Sequence, residues 1–390
     1  MEQKYSRNVI ITFFMISTFA IGMTEYVVTG LLTQFADEFD VPVSTTGLLL
    51  SSYAIGVAIF GPLLRVVTIK FSPKPLLIGM MVLFILSNVM AAMAPTFNIM
   101  ILPRLCSATM HAPFFGLCMS MAMNISPADK RPAAIATVNG GLTIAVMLGV
   151  PFGSFIGGMF NWRYVFWFIV GIGLISLIGL LIVTPNLKPA EPPKLKGELQ
   201  IFKNKSVMLV IAIIVFGFSG VFTAYTFLEP MLRYITGFGV TGVTISMLFF
   251  GIGAVIGNFA SGRIMPYKLT ERLIFVLIGL TIVLALFTTL IQSSALAFVM
   301  AFLFGVGTFG TTPILNAKII IGAREAPALS GTIAASVFNL ANAIGAMIGT
   351  GLLQAGAGYT LITLTASAII LFGLFLAYVT NKLEDKTLFE

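Results

Sequence analysis

The chain has 390 residues, of which 58% are hydrophobic and only 9% charged, and its mean hydropathy is +1.04. A soluble domain carries about 25% charged residues, so this composition excludes a solvated surface over most of the chain. A membrane-spanning helix needs about 20 apolar residues, which leaves room for about a dozen spans and little else.

Lys4 and Arg7 precede an apolar run from Val9 to Leu32. The run is too long for the core of a secretory signal and no small-residue cleavage site follows it, so it reads as a first span. Further apolar runs fall at roughly 44–66, 75–94, 98–124, 132–159 and 163–184. A second set covers roughly 207–232, 240–263, 272–291, 294–320, 327–354 and 358–381. The spacing predicts an all-α membrane protein of twelve transmembrane helices, multi-pass in the cell membrane, with both termini cytoplasmic. With that topology, all of the 22 Lys and Arg except Arg104, Arg163 and Arg233 lie in cytoplasmic segments. This is the positive-inside asymmetry, so the net charge of +8 reflects topology and anionic lipid rather than a nucleic-acid partner.

Cys106 and Cys118 share one apolar segment and, on a helix, lie about 18 Å apart, beyond disulfide reach. The one long polar stretch, Thr184 to Ser206, holds Pro185, Pro189, Pro192 and Pro193 among several lysines. It predicts a cytoplasmic linker over 185–206, with a short interfacial helix at Leu199 to Phe202, between bundles at 1–184 and 207–390. The two halves resemble each other. Ala54 to Arg65 sits opposite Gly251 to Arg263, and Gly149, Gly153 and Gly157 sit opposite Gly345 and Gly349. Two parallel six-helix repeats form a pseudo-symmetric transporter architecture with its substrate site at midplane.

Of the 14 acidic residues, only Glu25 and Glu229 fall within spans, beside Arg104 and the single histidine, His111. A charge at bilayer depth costs about 2.5 kcal/mol or more, so each is expected to face a partner or a wet cavity. Glu25 and Arg104 enter their spans at similar depth, which makes an ion pair or a water-bridged pair feasible. Arg104 and His111, seven residues apart, lie on one helix face. The three are candidates for proton coupling: Glu25 or His111 would change protonation with conformation, while Arg104 would hold the carboxylate ionised. The alternatives are that Glu25 and Arg104 merely pin two helices and that His111 is a packing residue. Glu229 and Arg233, one turn apart near the outer end of the seventh span, are a local interfacial pair or a gate.

Gly149, Pro151, Gly153 and Gly157 give the fifth span close helix packing and a local bend. That packing could also seal a leak path. Tyr53, Phe114, Phe115, Tyr225, Phe227 and Phe338, with Asn339 and Asn342, are candidate substrate-cavity walls, with plain core packing as the other reading of the aromatics. One histidine and two cysteines cannot build a metal or nucleophile cluster, and no phosphate-binding GxxxxGK[ST] loop exists. An enzyme, a cofactor and a metal are not expected.

Five stretches resemble the major facilitator superfamily. They are Gly22 to Leu32 (GMTEYVVTGLL), Ser52 to Leu64 (SYAIGVAIFGPLL), Leu102 to Gly116 (LPRLCSATMHAPFFG), Gly149 to Phe166 (GVPFGSFIGGMFNWRYVF) and Glu325 to Gly349 (EAPALSGTIAASVFNLANAIGAMIG). Within it, the chain is similar to the twelve-span drug:proton antiporters near the arabinose efflux permease branch. The resemblance implies a proton-coupled exporter of drugs, sugars, or nucleosides and bases. It implies a coupling role for Arg104 and an antiporter motif at Gly149, Pro151, Gly153 and Gly157. The family's loop after the second span usually carries an aspartate; here GPLLRVVTIKFSPKP has Val66 or Val67 in its place, which puts a gate built on it in doubt. A monomer is expected. The rival readings are an uncoupled facilitator or importer on the same fold, and a membrane sensor that does not transport.

Overall fold

A computed structural model describes residues 5–68, 71–187, 204–262, 268–322 and 327–383. Among these residues every regular element is helical. Where no water is present to take up free main-chain groups, a helix satisfies them within one segment, and that preference decides the class.

The first half runs α1 (Arg7–Tyr26), a 3-10 turn (Val27–Gly30), α2 (Leu32–Phe39), α3 (Val43–Thr46), α4 (Leu48–Thr68), α5 (Pro73–Ala92) and α6 (Phe97–Asn124). It continues through α7 (Arg131–Ile144), a π turn (Ala145–Gly149), α8 (Val150–Ile156), a second π turn (Gly157–Asn161) and α9 (Trp162–Val183). The second half runs α10 (Lys205–Ile213), a π turn (Ile214–Phe218), α11 (Ser219–Tyr225), α12 (Leu228–Tyr234), α13 (Val240–Ser261) and α14 (Leu269–Leu290). It closes with α15 (Ser294–Gly322), α16 (Pro327–Gln354) and α17 (Tyr359–Leu383).

Eleven helical runs are long and apolar enough to cross a membrane, and one of them, Ala128–Val183, is 56 residues long. Asn161 divides that run: its backbone is extended, and its side chain accepts from the Arg163 N–H at 2.8 Å to cap α9. Helix limits agree with the apolar runs to within a few residues elsewhere. Most of the predicted linker, including Leu199 to Phe202, lies outside the described residues.

Two hydrophobic cores separate along the chain. One is built almost wholly from α1 to α9 and the other from α10 to α17. The halves meet where α4 packs along α16, and where α13 packs on α8 and the preceding π turn. Pro151 explains that second contact. Lacking an N–H, it cannot bond back to the Met147 carbonyl, and the backbone widens into the π turn. The freed Met147 main chain abuts Gly251 of α13, where an added Cβ would come within 2.6 Å of it.

The predicted glycine pattern has a definite partner. A Cβ at Gly149, Gly153 or Gly157 would collide with Met23, Val27 or Leu31 respectively. Glycines four residues apart therefore seat side chains four residues apart on α1 and its 3-10 extension. In the second half, Gly345 and Gly349 of α16 are seated in the same way against Phe222, Thr223 and Phe227. The pseudo-symmetry read from glycine spacing is thus a pair of equivalent helix seams, each internal to one half.

Gly153 sits under Val27 with no space for a methyl group, and overpacking of this kind costs about 1–3 kcal/mol. Gly153→Ala is expected to lower the thermal midpoint of the purified protein. Gly153→Ala combined with Val27→Ala should recover most of the loss; additive losses in the double variant would refute this seam.

Candidate functional site

Helix α1 gives way to its 3-10 turn after Tyr26. Arg104 of α6 reaches the carbonyls of the last α turn of α1. Its Nη1 donates to the Thr24 carbonyl, its Nη2 to the Glu25 carbonyl at 3.3 Å, and its Nε to the Leu49 carbonyl of α4 at 3.2 Å. The residue is 1% exposed, and its guanidinium lies 4.4 Å over the Tyr53 ring, a cation–π contact in a desolvated site. Arg104 thereby ties α1, α4 and α6 together.

The side chain of Glu25 turns to a different partner from the one its sequence depth suggests. Its Oε2 lies 3.8 Å from Nε2 of His111, and Nδ1 of His111 lies 3.0 Å from the Tyr53 hydroxyl. The imidazole stacks on Phe115, with ring centroids 4.8 Å apart and planes within 10°. Four polar side chains from three helices therefore form one chain of contacts: Glu25, His111, Tyr53, Arg104. The grouping of Glu25, Arg104 and His111 is as expected, but the guanidinium bonds are with main chain.

Beside this chain is a small, partly open cavity lined by Glu25, Tyr26, Leu50, Tyr53, Ala54, Phe222 and Asn342. Both halves contribute to its wall. Asn342 is 6% exposed and its Oδ1 has no hydrogen-bond partner. The cavity offers a carboxylate, an amide and aromatic faces, which is the mixture a small-molecule site needs.

A second polar cluster lies where α1 and its extension finish, the far end of the bundle. Glu229 of α12 is 0% exposed. It pairs with Arg233 and accepts two bonds from Thr33 of the other half, from the hydroxyl at 2.6 Å and the N–H at 3.3 Å. Close by, Phe227 fills the space over Gly47, where a Cβ would come within 2.9 Å of its ring. The far ends of the halves are thus joined by both polar and apolar contacts.

A family model for the Major Facilitator Superfamily matches residues 14–350. The chain belongs to that superfamily. It is 43% identical to the MFS-type transporter YfhI of Bacillus subtilis, over 98% of this chain and 96% of the relative. It is 31% identical to the inner membrane transport protein YdhP of Escherichia coli, over 95% and 96% of the two chains. Among solved structures, a bacterial homolog of the human lysosomal transporter Spinster, inward-facing and unoccupied, superposes with a TM-score of 0.76 at 14% identity, covering 98% of each chain. The superfamily membership and its relatives make this protein a multi-pass membrane transporter and not an enzyme.

Of the eight predicted cavity residues, Tyr53 and Asn342 line this transporter's cavity. Phe115 stacks on His111, while Phe114 is wholly buried in the first core. Tyr225 stacks on Phe250 at 4.8 Å, and Phe338 meets Phe218 edge to face at 5.0 Å. Phe227 packs among first-half residues, and Asn339 donates to the Ala335 carbonyl at 3.0 Å. Tyr26, Leu50, Ala54, Phe222 and Thr33 were not legible beforehand. Their composition is ordinary for a span, and only helix rotation directs them inward. Tyr26, immediately after Glu25, carried the nearest thing to a signal.

Arg104→Ala removes three hydrogen bonds from a buried cation to main chain, each worth about 1.5–3 kcal/mol, although the Leu49 carbonyl keeps the Ser52 hydroxyl as a donor. Its thermal midpoint should fall well below that of the parent, with Arg104→Lys intermediate because an ammonium lacks the planar fork. Equal midpoints for parent and Ala variant would remove Arg104 from this structural role.

Proposed function

We propose that this transporter is a proton-coupled exporter of small molecules, working as a monomer by alternating access between bundles at 1–184 and 207–390, joined by a cytoplasmic linker at 185–206. The observation that carries the reading is a buried carboxylate, Glu25, beside the chain's single histidine in a cavity walled by both halves. An ionisable pair is expensive at bilayer depth and is retained where a proton must be held and released. Glu25 and His111 are close enough to share one, and rearrangement of the halves changes the solvent and partners that decide who holds it.

Arg104 acts in this reading as a fixed cation whose hydrogen bonds hold the Glu25 segment in place. The relatives named as transport proteins support transport, and the YdhP name, with the positive-inside asymmetry, supports an inner membrane with cytoplasmic termini. Export, and the choice among drug, sugar and nucleoside or base, rest on the resemblance to drug:proton antiporters. An exporter driven by proton entry must close its outer end while its cavity loads from the cytoplasm. The Glu229 contact with Thr33 serves as that outer latch, and the Phe227 seat on Gly47 as its apolar backing. The missing loop aspartate after the second span makes an inner latch of the usual family kind unavailable.

In proteoliposomes, the parent should accumulate substrate against its gradient only when a pH gradient is imposed. Glu25→Gln should retain exchange down a substrate gradient and lose uphill accumulation. Persistent uphill accumulation in that variant would make His111 the carrier, and a parent indifferent to the pH gradient would make the protein an uncoupled facilitator.

Thr33→Val removes one hydrogen bond to a charged partner, worth about 1.5–3 kcal/mol, or about 10- to 100-fold in the gate equilibrium. Spin-label distances between the far ends of α1 and α12 should shift toward the separated state. An unchanged distance distribution would show that the contact is only local packing.

A further inference from the structure

We propose that Tyr53 is a positioning residue that holds His111 in one tautomer, with the ring proton on Nε2 facing Glu25 and the lone pair on Nδ1 facing the Tyr53 hydroxyl. The role in coupling rests on the proton-coupled reading above; the tautomer does not. Three observations support it. First, Nε2 is the nitrogen nearer the carboxylate, 3.8 Å from Glu25 Oε2. When Glu25 is ionised it only accepts, so a proton on the nitrogen facing it is favoured electrostatically across that gap. A neutral imidazole then leaves Nδ1 as an acceptor, and the partner at 3.0 Å is a hydroxyl able to donate.

Second, the Tyr53 ring lies over the Arg104 guanidinium, whose own donors are taken up by the Thr24, Glu25 and Leu49 carbonyls. A cation fixed against the ring draws electron density from the phenol and strengthens it as a donor. Third, Phe115 stacks flat against the imidazole, which opposes rotation of the ring to exchange its two nitrogens. The ionisable groups in contact with His111 are Glu25 from α1 and Tyr53 from α4. The α16 helix, also packed on α6, contains no charged or titratable side chain.

The consequence is directional. With Nε2–H facing Glu25 at 3.8 Å, the ring steadies the ionised carboxylate electrostatically and parts from it when the halves rearrange, while Tyr53 keeps its own proton throughout. Loss of the hydroxyl frees the ring to present either nitrogen, so Glu25 loses a fixed donor although the packing of Tyr53 on Arg104 is retained.

The chain's one histidine makes the test unambiguous, since every imidazole ¹⁵N signal in a histidine-labelled sample belongs to His111. In the full-length protein in nanodiscs at mildly alkaline pH, we expect one species, with Nε2 protonated and Nδ1 bare. Tyr53→Phe should give a mixture or the opposite tautomer. Protonated Nδ1 in the parent, whether as the other tautomer or as imidazolium, overturns the proposal, and so does an unchanged spectrum in Tyr53→Phe. In proteoliposomes, Tyr53→Phe should lose pH-gradient-driven accumulation by about tenfold or more beyond whatever it loses in substrate counterflow. Equal loss of both activities would mark a merely structural role and overturn the positioning. If the parent itself ignores the pH gradient, the exporter reading fails while the tautomer result stands on the spectra.

Discussion

A cation buried at bilayer depth has no water to solvate it, and Arg104 meets that need with main chain. Its guanidinium donates to the Thr24 and Glu25 carbonyls at the end of α1 and reaches across to Leu49 as well. The rest of the site depends on that tie. It sets the depth of Glu25, brings the Tyr53 ring under a cation, and leaves His111, two helical turns along the same face of α6, opposite both.

Tight helix seams surround this tie. Within each half, glycines four residues apart seat side chains so closely that a single methyl group is excluded, so α1 against α8 and α11 against α16 can move only as units. Between the halves, contact runs through a proline-freed main chain against Gly251, α4 along α16, and the Thr33–Glu229 cluster at the far end.

The cavity uses the same economy of parts. Its polar capacity consists of Glu25, two tyrosines and the amide of Asn342, with hydrophobic residues from both halves around them. The nearby cation contributes field rather than a free hand, since its donors are spent on main chain.

Composition and periodicity were enough for the helical class, the span limits and the grouping of Glu25, Arg104 and His111, because apolar length and the cost of intramembrane charge are local properties. Glycine spacing revealed the pseudo-symmetry for the same reason. Partner choice was not local. Whether Arg104 met a carboxylate or a carbonyl depended on the 3-10 turn after Tyr26, and whether Glu229 paired only with Arg233 or also with Thr33 depended on how the halves close. Rotation of each helix about its axis, settled by packing against several neighbours at once, turned Tyr26 and Phe222 into the cavity and Phe114 and Phe227 away from it.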